Sequence, residues 1–159
     1  MSVGAIEQIS RFLTPLSQPE CERLKHDNPG LPTAYLAWMT ERGWGAVGGN
    51  FMLYSGPTPL VEILGGHASV DPLVAIGDDF AGYVTTLNLT TGAVIELDPR
   101  GEEVVRWPDF EAFISEWAAD HAGRVTEGPR DGVRCVRRAR GVPDPVAAGE
   151  RPAAGLSRL

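Results

Sequence analysis

Residues 72–117, PLVAIGDDFAGYVTTLNLTTGAVIELDPRGEEVVRWPDFEAFISEW, contain one buried strand, a two-hairpin meander and a closing amphipathic helix. Leu73-Val74-Ala75-Ile76 is a continuous apolar run, the pattern of a strand buried on both faces. Tyr83, Thr85, Leu87 and Leu89 then alternate with Val84, Thr86 and Asn88 at a period of two. Thr90-Thr91-Gly92 turns the chain into the strand Ala93–Leu97. Asp98-Pro99-Arg100-Gly101 fits a type I turn, since proline pre-sets φ at the second position and glycine suits the fourth. Glu103–Trp107 completes the meander. Asp109 is placed to cap a helix whose Phe110, Phe113, Ile114 and Trp117 recur at i, i+3, i+4 and i+7. The alternation is read as putting Leu87, Ile95 and Leu97 on one sheet face and Thr86, Asn88, Glu96 and Asp98 on the other. Helices then cover one face, and solvent or a partner meets the other.

Working outward, Ile6, Ile9, Phe12, Leu13 and Leu16 recur at helical spacing and predict a helix over residues 4–13, stopped near Pro15. Pro19 opens a second short helix through about Lys25, ended by Asn28-Pro29-Gly30. Pro32 suits the first turn of a third, whose apolar stripe is Tyr35, Leu36, Trp38 and Met39 and whose end is Gly43 and Gly45. Phe51–Tyr54 reads as a short strand ended by Ser55-Gly56-Pro57, and Pro59–Leu64 as either a helical turn or a strand. From Gly123 onward prolines, glycines and alanines leave little to bury, so residues 127–159 are expected to form a flexible or partner-ordered tail, with Val133-Arg134-Cys135-Val136 a candidate edge strand. The expected fold is therefore α/β (α+β): one domain over residues 1–126, with a single mainly antiparallel sheet of about five or six strands covered on one face by the N-terminal and C-terminal helices.

A chain of 159 residues suits one such domain, and 43% hydrophobic with 22% charged residues is ordinary for a globular protein. The charge distribution is uneven. Residues 1–126 carry a net −10 and residues 127–159 a net +3. An acidic body repels nucleic-acid phosphate and favours basic partners. Arg134, Arg137, Arg138 and Arg140 lack interleaved aromatics for base stacking, so no nucleic-acid partner is expected. Cys21 and Cys135 form no disulfide framework. With no secretory signal and no apolar run of membrane-spanning length, the expectation is a cytoplasmic protein with no membrane partner. The sequon Asn88-Leu89-Thr90 then reads as a turn.

Leu31, Pro32 and Tyr35; Gly43 and Gly45; Ile76, Gly77, Asp78 and Gly82; Gly92 and Asp98; and Phe110 and Phe113 occur in an order that resembles the SUKH superfamily over roughly residues 5–120. That superfamily includes bacterial toxin immunity proteins and a fungal cell-wall regulator. The resemblance implies a non-enzymatic α/β scaffold that neutralises a cognate toxin, in many members a nuclease, by binding it. The fungal relatives imply an alternative: an adaptor or regulatory module that binds a cellular protein without a toxin. The matched residues are read as holding the fold. Two departures bear on the binding face: a short route from the glycine-rich turn into the strand at Phe51, and Asp79-Phe80-Ala81 where polar residues are more usual.

Other motifs carry less. Gly43-Trp44-Gly45-Ala46-Val47-Gly48 spells G-x-G-x-x-G, but a dinucleotide site needs that string after a strand and at the opening of a helix. Here it follows a helix. His26, His67 and His121 have no metal-ligand spacing, and no nucleophile signature surrounds the serines or Cys21, so no cofactor, metal or catalytic residue is expected. Asp78-Asp79 and Glu102-Glu103 sit at turns, where carboxylates bond nearby backbone. The sharper expectation is an acidic rim of Glu62, Asp78, Asp79, Glu96 and Asp98 that meets the basic active-site surface of a toxin, with Trp44 and Tyr54 as aromatic anchors.

Overall fold

The computed structural model describes residues 3–47, 50–65 and 72–122. Five helices and six strands follow one another as α1 (Val3–Ser10), α2 (Gln18–Asp27), α3 (Thr33–Glu41), β1 (Gly45–Val47), β2 (Phe51–Pro59), α4 (Leu60–Leu64), β3 (Leu73–Asp78), β4 (Val84–Asn88), β5 (Val94–Leu97), β6 (Glu103–Trp107) and α5 (Phe110–Ala122). The strands form one antiparallel sheet in sequential order from β1 to β6. The α+β architecture expected from the meander is the one observed. The expected tail, its candidate edge strand at 133–136, and His67, His121 and Cys135 as side chains lie outside the described residues.

The helices that build the main core are started by local chemistry. At α2 the Ser17 backbone N–H and hydroxyl both donate to the Glu20 carboxylate, at 2.8 and 2.5 Å, and hold that carboxyl below its ordinary pKa. Asp109 accepts the Ala112 N–H at 2.8 Å and so starts α5. The first helix is shorter than its spacing predicted. It ends at Ser10, after which Phe12 N–H bonds Ile9 O and Leu13 N–H bonds Ser10 O as turns. Thr14 then pairs with Trp44 through two backbone bonds of 2.8 and 3.1 Å, which pulls the chain out of the helix and leaves Phe12 exposed.

Two strand expectations also change. The glycine-rich stretch contributes β1, whose Gly45, Ala46 and Val47 pair with Leu53, Met52 and Phe51. The second strand runs on to Pro59, because its register with β3 slips between Leu53 and Thr58. That irregularity accommodates Ser55-Gly56-Pro57 inside a strand, where proline needs no ladder donor. The segment after Pro59, left open between helix and strand, is the short helix α4.

Each sheet face has its own core. Against the first pack α1, α2, α3 and α5, through Ile9, Cys21, Tyr35, Trp38, Met39, Phe110, Phe113, Ile114 and Trp117 on Phe51, Leu53, Ile76, Leu87 and Val94. The α5 stripe is buried as its spacing predicts, and edge-to-face contacts join Phe110 to Tyr35 at 5.2 Å and to Trp38 at 6.4 Å. On the second face Leu60 from α4 packs with Ala75, Val84, Ile95 and Leu97. This corrects the expected division of side chains. Leu87 lies opposite Val94, and Thr86 opposite Ile95, so Leu87 belongs to the helix-covered face and Ile95 and Leu97 to the other. β4 is consequently buried on both sides, and Thr86 satisfies its hydroxyl by donating to Ile95 O at 2.8 Å.

Two glycines make close approaches that side chains would block. Gly43 (φ 95°) follows α3, donates to Trp38 O at 2.9 Å, and would bring a Cβ within 1.9 Å of Thr14 O. Gly77 would bring one within 2.5 Å of Met52 O, where β2 and β3 meet at their irregular register. The G-x-G-x-x-G string therefore begins at the end of a helix and feeds a strand, and its first glycine is fixed by packing against Thr14.

Candidate functional site

Every hairpin of the meander is started by an Asx residue that collects backbone donors. Asn88 Oδ1 accepts from Thr90 and Thr91 N–H, both at 2.9 Å, which makes the sequon a turn. Asp98 Oδ1 accepts from Arg100 and Glu102 N–H at 2.8 and 2.9 Å, and Arg100 Nε reaches Oδ2 at 3.3 Å. Those backbone donors, with the Arg100 charge, hold the Asp98 carboxyl below its ordinary pKa. Between β3 and β4 two aspartates share the work: Asp78 Oδ1 accepts from Phe80 N–H at 2.8 Å, and Asp79 Oδ1 from Ala81 and Tyr83 N–H, both at 2.9 Å.

The β3–β4 loop so tied holds Phe80 at φ 57°. For a bulky residue this left-handed conformation is strained, by about 1–2 kcal/mol. The ring gains little burial from it, being 58% exposed. A loop clamped by two carboxylates thus holds an aromatic side chain out from the sheet in an unfavourable backbone geometry.

Beside Phe80 lies a partly open concavity of about 390 Å³ on the second sheet face. Ile63 and Leu64 of α4 form one wall, Phe80 and Gly82 of the β3–β4 loop another, and Pro99 of the β5–β6 turn a third; Val84 and Asp78 of the strands complete it. The two turns meet closely, since a Cβ on Gly82 (φ 95°) would stand 3.2 Å from Pro99 Cγ. Asp78 is the ionisable residue in this lining. Its Oδ2 accepts the Tyr54 hydroxyl at 2.6 Å, so each oxygen already has one internal donor. Burial, then the bond and charge of Asp78, push the Tyr54 phenol far above its ordinary pKa, so it remains a donor. A hollow with apolar walls on three sides and one carboxylate that retains free acceptor sites is suited to holding a cationic group on an apolar stem. Among the described residues its lining offers no second titratable group for acid–base exchange.

Of the seven residues expected at a partner surface, a hydrogen bond joins Tyr54 and Asp78 on the second face. Glu62, Asp79 and Asp98 are chain neighbours of the wall residues Ile63, Phe80 and Pro99 and are not themselves in the lining. Two stand elsewhere. Trp44 is half-buried against the helix-covered core, where its backbone pairs with Thr14. Glu96 alternates with Ile95 and Leu97 and lies opposite Thr85 and Val105, so it falls on the helix side. Phe80, Ile63, Leu64 and Pro99 were not among the expected residues. The departure Asp79-Phe80-Ala81, an aromatic where a polar residue is usual, was the legible signal for the first. Among the described residues no three His, Cys, Asp or Glu side chains gather as a metal site, and no helix is long and apolar enough to cross a membrane.

Compared with known protein families, with curated proteins and with solved structures, the chain matches none.

Proposed function

We propose that this protein is a non-enzymatic immunity protein that neutralises a bacterial toxin by stoichiometric binding through the second sheet face. Phe80 carries the reading: an exposed aromatic held at positive φ by two aspartates, beside a concavity walled by Ile63, Leu64 and Pro99. Strained conformations of this kind cluster at ligand clamps, and exposed aromatics beside desolvated pockets are the residues that anchor interfaces. Val61 on α4 is also exposed, at 57%. Glu62, Asp79 and Asp98 are chain neighbours of the concavity's wall residues, and the net charge of residues 1–126 favours a basic partner. The toxin, and its basic active-site surface, come from the resemblance to the SUKH superfamily.

The test is retention of proteins from native cells on the tagged full chain and on Phe80→Gly, read by quantitative mass spectrometry. The proposal expects a stoichiometric basic toxin domain on the first and at least tenfold less on the second. A stoichiometric housekeeping protein lost in the same way would replace the immunity role with the adaptor role. Equal retention of everything by both would remove this face from the account.

A further inference from the structure

We infer that the concavity takes one arginine side chain from the partner, its stem between Ile63, Leu64 and Phe80 and its guanidinium beside the Asp78 carboxylate. The inference rests on the binding role proposed above and specifies its chemistry.

Size bears on the occupant. About 390 Å³ is at the small end of ligand cavities and is enough for a single long side chain. Polarity narrows the choice. The walls carry the apolar side chains of Ile63, Leu64, Phe80, Val84 and Pro99 beside polar atoms, and among the described residues the lining contributes a single ionisable group, an acid. A carboxylate has roughly four acceptor sites, of which Phe80 N–H and the Tyr54 hydroxyl occupy two, so donors from outside can still be accepted. A purely apolar occupant would cover Asp78 without replacing the water it binds, which is costly. An acidic occupant would be repelled by Asp78. Arg100, on the turn that supplies Pro99, is turned to Asp98 at 3.3 Å and Glu102 at 3.6 Å.

Arginine suits these walls better than lysine. Its planar guanidinium stacks on an aromatic face, is more weakly hydrated than an ammonium and carries several donors in a fixed fork. Phe80 supplies the ring, and its exposure leaves that ring available for stacking. The same pairing gives the strained loop a purpose, since Asp78 Oδ1 holds Phe80 N–H and so ties the ring to the carboxylate that receives the cation.

The experiment is a ¹H–¹⁵N titration of the full 159-residue chain with Nα-acetyl-arginine N-methylamide, alongside the citrulline and lysine analogues. The expected result is saturable shifts at Asp78, Phe80 and Val84 with a Kd of about 1–10 mM, at least about fivefold tighter than for citrulline and tighter than for lysine. Asp78→Asn, which keeps an acceptor for Phe80 N–H, should weaken arginine about fivefold or more, as should Phe80→Gly. Absence of shifts at these residues, citrulline binding equal to arginine, or lysine binding as tight overturns the assignment. Because the probe needs no partner, its failure leaves the capture experiment standing, and failure of capture leaves a positive titration standing.

Discussion

The Tyr54 hydroxyl donates to Asp78 Oδ2 at 2.6 Å, joining β2 to β3 just where their register slips. The sequence marks both residues as candidate partner contacts, and the structure makes both part of the scaffold of the concavity. Asp78 turns one oxygen to Tyr54 and the other to the backbone of the loop that presents Phe80.

Charge and turn-capping at this loop are therefore separable by substitution. Asn keeps a carbonyl oxygen for the Phe80, Ala81 and Tyr83 N–H groups, whereas Lys has no acceptor. Asp78→Asn/Asp79→Asn should stay within about 1 kcal/mol of wild type and slow association with a basic partner, more so at low salt. Asp78→Lys/Asp79→Lys should lose about 2 kcal/mol or more through orphaned donors. Equal denaturant midpoints for the two double variants would refute the capping role.

Strain at Phe80 is measurable by comparing two truncations. Phe80→Gly and Phe80→Ala remove nearly the same ring, but only alanine retains a Cβ at φ 57°. The glycine variant should be the more stable by about 1 kcal/mol. Both should cost far less than Phe110→Ala, which empties a site 2% exposed and should lose about 3–5 kcal/mol. Chemical denaturation of the three variants decides this, and an alanine variant as stable as the glycine one would show that the loop is unstrained.

Gly43 should tolerate no side chain. A Cβ there meets Thr14 O at 1.9 Å, with backbone on both sides and positive φ, so Gly43→Ala should cost more than about 4 kcal/mol. Gly4→Ala has open space around it and should leave thermal stability unchanged or slightly raised. Folding of Gly43→Ala at wild-type midpoint would contradict the Thr14–Trp44 bridge as described.

Tyr35 illustrates a polar group held for its ring. It is fully buried in edge contact with Phe110, and its hydroxyl has no hydrogen-bond partner among the described residues. Burial pushes its phenol well above the ordinary value. Removing the hydroxyl in Tyr35→Phe should be neutral or stabilising by up to about 1 kcal/mol. A loss beyond about 1 kcal/mol would mean that the hydroxyl has a stabilising partner.

Acid should weaken the domain through its turn carboxylates. Asp98, Glu20 and Glu103 are held below their ordinary pKa, by Glu102 and Arg100, by Ser17, and by Arg106 respectively. Stability from such groups is complete above the unfolded-state pKa and is lost as pH falls through the lower folded value. Thermal midpoints should therefore be level near neutrality and fall between about pH 5 and pH 2. Asp98→Asn, which keeps the acceptor, should show a smaller fall over that range. An unchanged slope in the variant would remove Asp98 from the acid response.

The meander and its closing helix were legible because their signals are local. The period of two in β4, the Asp98-Pro99-Arg100-Gly101 turn and the Phe110–Trp117 stripe each specify an element without help from elsewhere. What required the structure was relational. β1 exists by pairing Gly45, Ala46 and Val47 with Leu53, Met52 and Phe51, and the distribution of Leu87, Ile95 and Leu97 between faces depends on Leu87 meeting Val94 across the ladder. The site followed the same pattern. Acidic positions could be named from turns, but which of them reach the concavity depends on α4 lying over the second face, which puts Asp78 in the lining and leaves Glu96 and Trp44 on the other side of the sheet.

The most direct measurement is the affinity of the purified, captured partner for wild-type chain and for Phe80→Gly at matched folding, by calorimetry. The account predicts a one-to-one complex with a basic toxin domain, weakened at least tenfold, about 1.4 kcal/mol, by Phe80→Gly despite near-normal stability. An undiminished affinity in the folded variant would contradict the claim that this face does the binding.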